Sequence, residues 1–183
     1  MVAMSIFGLL LTGLLTLHLF GLRQDQLVQS KLGATDQSRR VFGALLAEVR
    51  GAKLVMVGNG TQTSFTKIPV GSPQQGTALQ IHASTDTNTF IRYFFDISDG
   101  ELRRMTNGMV DSKLIADHLN LTNTACFWAE DFKGTVINDA THNYVIRTRL
   151  EFYQYQYPLT KVGPGYLYDY YKLDFRATRR LPD

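Results

Sequence analysis

The feature that most constrains this chain is its opening, Met1 to Leu22, in which no Asp, Glu, Lys or Arg appears before Arg23. A helix of that length is about 33 Å long, which matches a hydrocarbon core of roughly 30 Å. Its polar atoms are confined to Ser5, Thr12, Thr16 and His18. Serine and threonine hydroxyls can bond back to a carbonyl one turn earlier, so they cost little in lipid. His18 lies near the far end, within reach of the interface. A cleaved secretory signal would carry a basic leading segment, a shorter apolar run and a small-residue cleavage site. No Lys or Arg precedes this run and no A-x-A pattern follows Phe20. The reading is a retained membrane helix over 1–22.

Past Arg23 the pattern stays helical but changes character. No proline falls between Gln24 and Lys53, and the glycines at 33, 43 and 51 are isolated. Leu32, Phe42, Leu45, Leu46, Val49 and Ala52 recur at three- and four-residue spacing, which places them on one face. One helix from about Val2 to Leu54 is expected, roughly 80 Å long, with a hinge near Gly33 as the alternative. Its second half, 23–54, would lay an apolar stripe of Phe42, Leu45, Leu46 and Val49 on a β-rich head, 55–183.

In that head, Val55-Met56-Val57 and Gly58-Asn59-Gly60 read as the helix end and a turn. Residues 61–76 read as a loop with a short strand at Ser64–Ile68. Strands are expected at Thr77–Ala83 (Leu79, Ile81 and Ala83 on one side), Thr89–Ile97 and Glu101–Met105. The last two are joined across Ser98-Asp99-Gly100, since an Asp-Gly pair suits a tight hairpin. Residues 110–121 suggest one or two helical turns, and Cys126–Ala129 a short apolar piece. Asn143–Tyr155 alternates Ile146, Thr148, Leu150 and Phe152 against Arg147, Arg149, Glu151 and Tyr153. Tyr166–Thr178 alternates in the same way, so one face of each strand is buried. Turns rather than crossover helices join these strands, so the sheet should be antiparallel, with about four strands or more. The fold class is α+β.

Composition narrows function by exclusion. The formal charge is +3 over 183 residues, and the basic residues are scattered, so no nucleic-acid footprint is expected. Cys126 is the single cysteine, which rules out an internal disulfide. No phosphate loop, nucleophile elbow, HExxH or CxxC motif occurs, and no catalytic residue or cofactor is assigned. His118, Cys126, Asp131 and His142 fall within twenty-five residues but match no zinc spacing. Asp117, Glu130 and Asp131 lack the alternating Asp-x-Asp run of a calcium loop. No metal is assigned. Beside Phe127 and Trp128, Cys126 reads as a buried small hydrophobe. The tyrosines at 153, 155 and 157 and from 166 to 171 read as either partner contacts or ordinary strand residues. The Asn59-Gly60-Thr61 and Asn120-Leu121-Thr122 triplets match the glycosylation sequon, a short pattern that often recurs without function.

A membrane helix that continues as an amphipathic helix over an antiparallel sheet resembles the type IV pilin superfamily. Val2-Ala3-Met4-Ser5-Ile6-Phe7-Gly8-Leu9-Leu10 looks like the inner part of a prepilin N-terminal segment. The Ser-Ile-Phe-Gly wording and the closing Tyr171-Lys172-Leu173-Asp174-Phe175, with Arg179-Arg180, look most like minor pseudopilins of type II secretion, the J class. The N-terminal match spans about twenty residues, and the rest is likeness of architecture. The family's leader, cleavage-site glycine, first phenylalanine and early glutamate match no residue here. A start shortened by a few residues is therefore expected, with a basic leader before it, consistent with the head lying outside the cytoplasmic membrane.

The resemblance implies a non-enzymatic subunit of a secretion or pilus-type filament, anchored once in a bacterial inner membrane with its head in the periplasm. Its partners would be the bilayer, the assembly platform, and sister subunits met through Ile6, Gly8, Leu10, Gly13, Leu14 and Leu17. The alternative is a membrane-anchored periplasmic binding domain unrelated to filaments. A periplasmic hydrolase would need convergent acid–base residues, and no such set is visible.

Overall fold

A computed structural model describes residues 2–84, 86–107, 111–120, 125–139, 145–153 and 170–180. The architecture is α+β. One helix, α1 (Val2–Gly51), is followed by strands β1 (Leu54–Gly60), β2 (Phe65–Lys67), β3 (Gln75–Gly76), β4 (Ala78–His82) and β5 (Ile91–Asp96). Then come β6 (Glu101–Thr106), β7 (Lys113–Ala116), β8 (Phe127–Glu130), β9 (Val145–Tyr153) and β10 (Tyr170–Thr178). The strands form a six-stranded sheet, β2-β1-β4-β5-β6-β7, and a four-stranded sheet, β10-β9-β8-β3. Every pairing is antiparallel. Two sheets therefore stand where one was expected. The chain divides into two compact units, Met1–Thr35 and Asp36–Asp183.

In the first unit α1 is uninterrupted at Gly33. Ala3–Asp25 is long and apolar enough to cross a membrane, and its side chains are exposed throughout. The Thr12 hydroxyl donates to the Gly8 carbonyl at 2.8 Å, and the Thr16 hydroxyl to those of Thr12 and Gly13 at 2.6 and 3.0 Å. These bonds inside the helix remove the desolvation cost that a free hydroxyl would carry in hydrocarbon.

In the second unit, Val41, Leu45, Val49 and Ala52 are buried at four- and three-residue spacing. Full burial of each larger apolar side chain is worth about 1.5–3 kcal/mol, and this stripe holds Asp36–Gly51 onto the sheets. The helix ends at Gly51, and the Lys53 amide already donates to the His82 carbonyl at 2.9 Å, pulling the chain into β1 beside β4.

Several expectations need correction. The segment read as a helix end and a turn is β1. Its glycines serve close approach rather than a turn: a Cβ on Gly58 would lie 2.5 Å from the Thr66 carbonyl oxygen and 2.6 Å from the Phe65 ring. The helical turns expected within 110–121 give way to β7, which pairs with β6 across a register shift at Leu102/Arg103. Four residues are too few for periodicity to separate a turn of helix from a strand.

The one-sided reading of β4 also fails, because all five of its residues are buried and Ala83 lies beyond it, exposed. Its polar members are matched inside. Gln80 Nε2 and His82 Nε2 are 3.2 Å apart, and His82 Nδ1 is 3.0 Å from the Thr89 carbonyl. In β9 Ile146, Thr148, Leu150 and Phe152 are all buried as expected, but Glu151 of the opposite face is buried too, held by Arg149 Nη2 at 2.6 Å.

Candidate functional site

On the apolar helix, Ile6, Leu10, Leu14 and Leu17 are between half and three-quarters exposed. At 100° per residue they fall within one arc of the helix together with Gly13, while Gly8 lies across from them beside Thr12 and Thr16. A Cβ added at Gly8 or Gly13 would meet nothing. The helix thus brings five of the six residues singled out as a packing face onto one side and sets Gly8 on another. Both sides are open to lipid or to a neighbouring helix.

On the head side of α1, Leu45 and Val49 are buried, Leu46 is half-buried, and Phe42 stays 41% exposed. Phe42 meets Phe175 of β10 edge-on, with ring centroids 5.1 Å apart. Edge-to-face pairs of this kind add about 0.5–1.5 kcal/mol beyond their buried area. Leu32, counted in the same sequence stripe, is 64% exposed. The buried stripe begins at Ser38 and Val41 instead.

Two polar ties join α1 to the six-stranded sheet, and sequence reasoning missed both. In the first, Arg104 on β6 donates through Nε and Nη2 to Glu48 Oε1 at 3.0 and 2.8 Å. Burial alone would lower the Arg104 pKa, but Glu48 outweighs it and the net shift is upward. Tyr93 of β5 is buried close to this pair. Burial first, then the Glu48 carboxylate, push its ionisation well above the usual range, with Arg104 opposing.

In the second tie, Gln37 Nε2 donates to Asp117 Oδ1 at 2.5 Å, and the Asp117 amide donates to Gln37 Oε1 at 3.2 Å. His118 Nδ1 lies 2.8 Å from the same carboxylate oxygen, and His118 takes the left-handed backbone conformation (φ 55°). Burial would raise the Asp117 pKa, but the bonds from His118 and Gln37 outweigh it and hold the carboxyl below its ordinary range. The available signal was positional, since Glu48 and Gln37 flank the apolar stripe.

The four-stranded sheet carries a second network. Glu130, with no exposed side-chain surface, lies between Arg147 Nη1 (3.2 Å to Oε1) and Arg176 Nε (2.6 Å to Oε2). Arg147 is shared with Asp174, donating through Nε at 2.8 Å and Nη2 at 2.6 Å. These bonds, outweighing partial burial, hold the Asp174 carboxyl below its ordinary range. A guanidinium fork gripping two carboxylates is a strong, directional arrangement. It leaves Glu130 committed to arginines rather than available to a cation.

Among the described residues no group of three or more His, Cys, Asp or Glu could hold a metal ion. Of the four zinc candidates, His142 lies outside the described residues. Asp131 instead closes a turn, accepting from the amides of Lys133 and Thr135 at 2.9 and 2.8 Å. Cys126 is buried, and burial pushes its thiol up to about 12, far from the reactive range. Of the tyrosine-rich tail, Tyr171 is described and is 40% exposed, with its ring 6.0 Å from that of Phe152. The rest of that tail falls outside the described residues or has no described side chain. Asn59 of the first sequon is engaged by its side chain, accepting from the Thr77 amide at 3.1 Å. The second sequon is described only at Asn120.

No family model matches the chain, and neither does any curated protein or solved structure.

Proposed function

We propose that this chain is a pilin-like structural subunit, anchored in a bacterial inner membrane by Ala3–Asp25 with its β-rich head in the periplasm. The observation that carries the reading is the composition of α1. One helix, Val2–Gly51, is exposed and apolar over Ala3–Asp25 and places a buried stripe on an antiparallel head from Val41 to Val49. A helix that serves only as an anchor has no need to continue into the core of the domain it tethers. A filament subunit does, because the helix must carry the head when it leaves the bilayer for a helical core.

In this reading the chain performs no chemistry on a substrate. The face of Ile6, Leu10, Gly13, Leu14 and Leu17 would exchange lipid for the helices of sister subunits, where close packing of small and branched residues replaces the hydrophobic effect as the driving force. The finer assignment, a minor pseudopilin of a type II secretion system near the filament tip, rests on the likeness of Val2–Leu10 and the closing strand to that class.

The test has two stages. Membrane fractionation of cells expressing the full chain should place it in the alkali-resistant membrane pellet, with the head cut by protease added to the periplasmic side. Leu10→Cys or Leu14→Cys should then form disulfide-linked species with pilin-like subunits carrying cysteine at matching depth, in cells that hold such a system. A chain recovered in the soluble fraction defeats the anchor. A membrane chain that never crosslinks to such subunits reduces it to an anchored binding domain.

A further inference from the structure

The four-stranded sheet ends on β10, nine residues long and matched residue for residue to β9 on one side. On its other side no backbone hydrogen bond is made over 170–178 among the described residues. Among the described residues, half of its amides and carbonyls therefore find no partner strand. Proteins usually blunt such an edge with proline, a bulge, a short strand or charges that repel a second copy. This strand has no proline, and its register against β9 runs without a shift. Its outward face alternates charge, Lys172, Asp174, Arg176, and its inward face carries Tyr171, Leu173 and Phe175.

The half-covered state of that inward face is informative. Opposite residues on β9 are fully buried, whereas Tyr171 is 40% exposed and Leu173 and Phe175 are only partly covered. Phe42, 41% exposed, stands over the same edge against Phe175.

We propose that this edge pairs with the same edge of a second copy, antiparallel, about a two-fold axis at Leu173. The strand's own charge pattern selects the occupant and the register. Centred on Leu173, Lys172 of each copy faces Asp174 of the other, and Tyr171 of each faces Phe175 of the other. Opposite charges and aromatic pairs directly across a ladder are the stabilising combinations. Centred on Asp174, the same strands would oppose Asp174 to itself and Lys172 to Arg176, which is repulsive. Centred on Phe175, the register would call on Arg176, whose guanidinium Glu130 already holds at 2.6 Å. The Leu173 register also calls on Asp174, which Arg147 holds at 2.6 and 2.8 Å, but sets it against Lys172, which makes no described hydrogen bond. The Phe175 register would instead pair two groups that are both engaged. The joined sheet would have eight strands, within the ordinary range. This inference stands on the head alone and does not depend on membrane anchoring.

The experiment uses the full chain in detergent, with micelles in excess over chains. Sedimentation should show a concentration-dependent dimer. Leu173→Cys should close a disulfide or short bis-thiol link to itself, because a residue on the axis faces its own copy, whereas Thr178→Cys should not. The buried Cys126 thiol does not compete. Lys172→Asp, an exposed change, should weaken dimerisation about fivefold, whereas Lys172→Arg, which keeps the charge facing Asp174, should leave it unchanged. Closure by Phe175→Cys in place of Leu173→Cys overturns the register. A chain that stays monomeric at every concentration, or whose edge is taken by a strand of another protein, overturns the self-pairing.

Discussion

Glu130 and Arg176 meet across two strands that are not neighbours, Oε2 to Nε at 2.6 Å, with Arg147 of the intervening strand closing the other side of the same carboxylate. One buried acid thereby ties β8, β9 and β10 together. Glu130→Gln keeps the shape but leaves two guanidiniums facing a neutral amide. Since breaking a buried pair exposes the cost of the charge left behind, and both arginines keep some access to water, a loss of about 2–3 kcal/mol is expected. Arg176→Gln, at a side chain that is 51% exposed, should cost under about 1 kcal/mol. Urea unfolding of both variants, at matched slope, checks the ranking.

Asp174 sets an acid limit on the same sheet. Its carboxyl is held below the ordinary range by Arg147, so the folded state binds the proton less readily than the unfolded chain does. The resulting stability is fully present above the unfolded carboxylate's pKa, about 3.9, and is lost as pH falls through the lower folded value. Thermal melts should therefore be flat from neutral to about pH 5 and decline below. Asp174→Asn should lower the plateau and flatten the decline. An unchanged slope in that variant counts against the pairing.

Two glycines should respond in opposite directions to alanine. A methyl at Gly76 would overlap the Gly58 carbonyl oxygen, where the two sheets approach. Gly76→Ala should cost at least about 2 kcal/mol. Gly33 lies mid-helix with open space around its Cβ direction. Gly33→Ala should stabilise by about 0.5–1 kcal/mol through helix propensity alone. Circular dichroism melts of the two variants in one detergent would settle both signs.

Cys126 should behave as a core residue. With its thiol buried and raised to about 12, maleimide labelling at neutral pH should be negligible in the native state and complete in denaturant. Rapid native labelling would mean that β8 does not pack as described.

The parts of the fold legible in the sequence are those with a long period to count. The uncharged opening and the alternation of Ile146, Thr148, Leu150 and Phe152 persist long enough to exclude other structures. Asp99-Gly100 marked the β5–β6 hairpin, and Gly100 does take positive φ (67°). What escaped is either short or set by distant partners. Lys113–Ala116 is a strand only because β6 offers an edge. Gln80 and His82 look solvent-facing by type, yet both lie inside because each is bonded there. Glu48 and Gln37 mark the ties of α1 to the sheet, but a polar residue beside an apolar stripe is usually just the wet flank of a helix, and only the fold shows Arg104 and Asp117 opposite.

Arg92 fastens the six-stranded sheet in another way. Its guanidinium, buried and stacked near Phe65 and Phe90, is met by the carbonyls of Thr61, Gln62 and Ser64 at 3.0–3.2 Å and by Gln80, all uncharged acceptors. Burial lowers its pKa, but nothing in that ring of acceptors takes up a proton in mild acid. The β1–β2 turn is therefore clasped without any carboxylate, unlike the Arg147–Asp174 fork. One sheet is thus fastened by ion pairs, and the other, at this turn, by a cation seated among neutral oxygens and two aromatic rings.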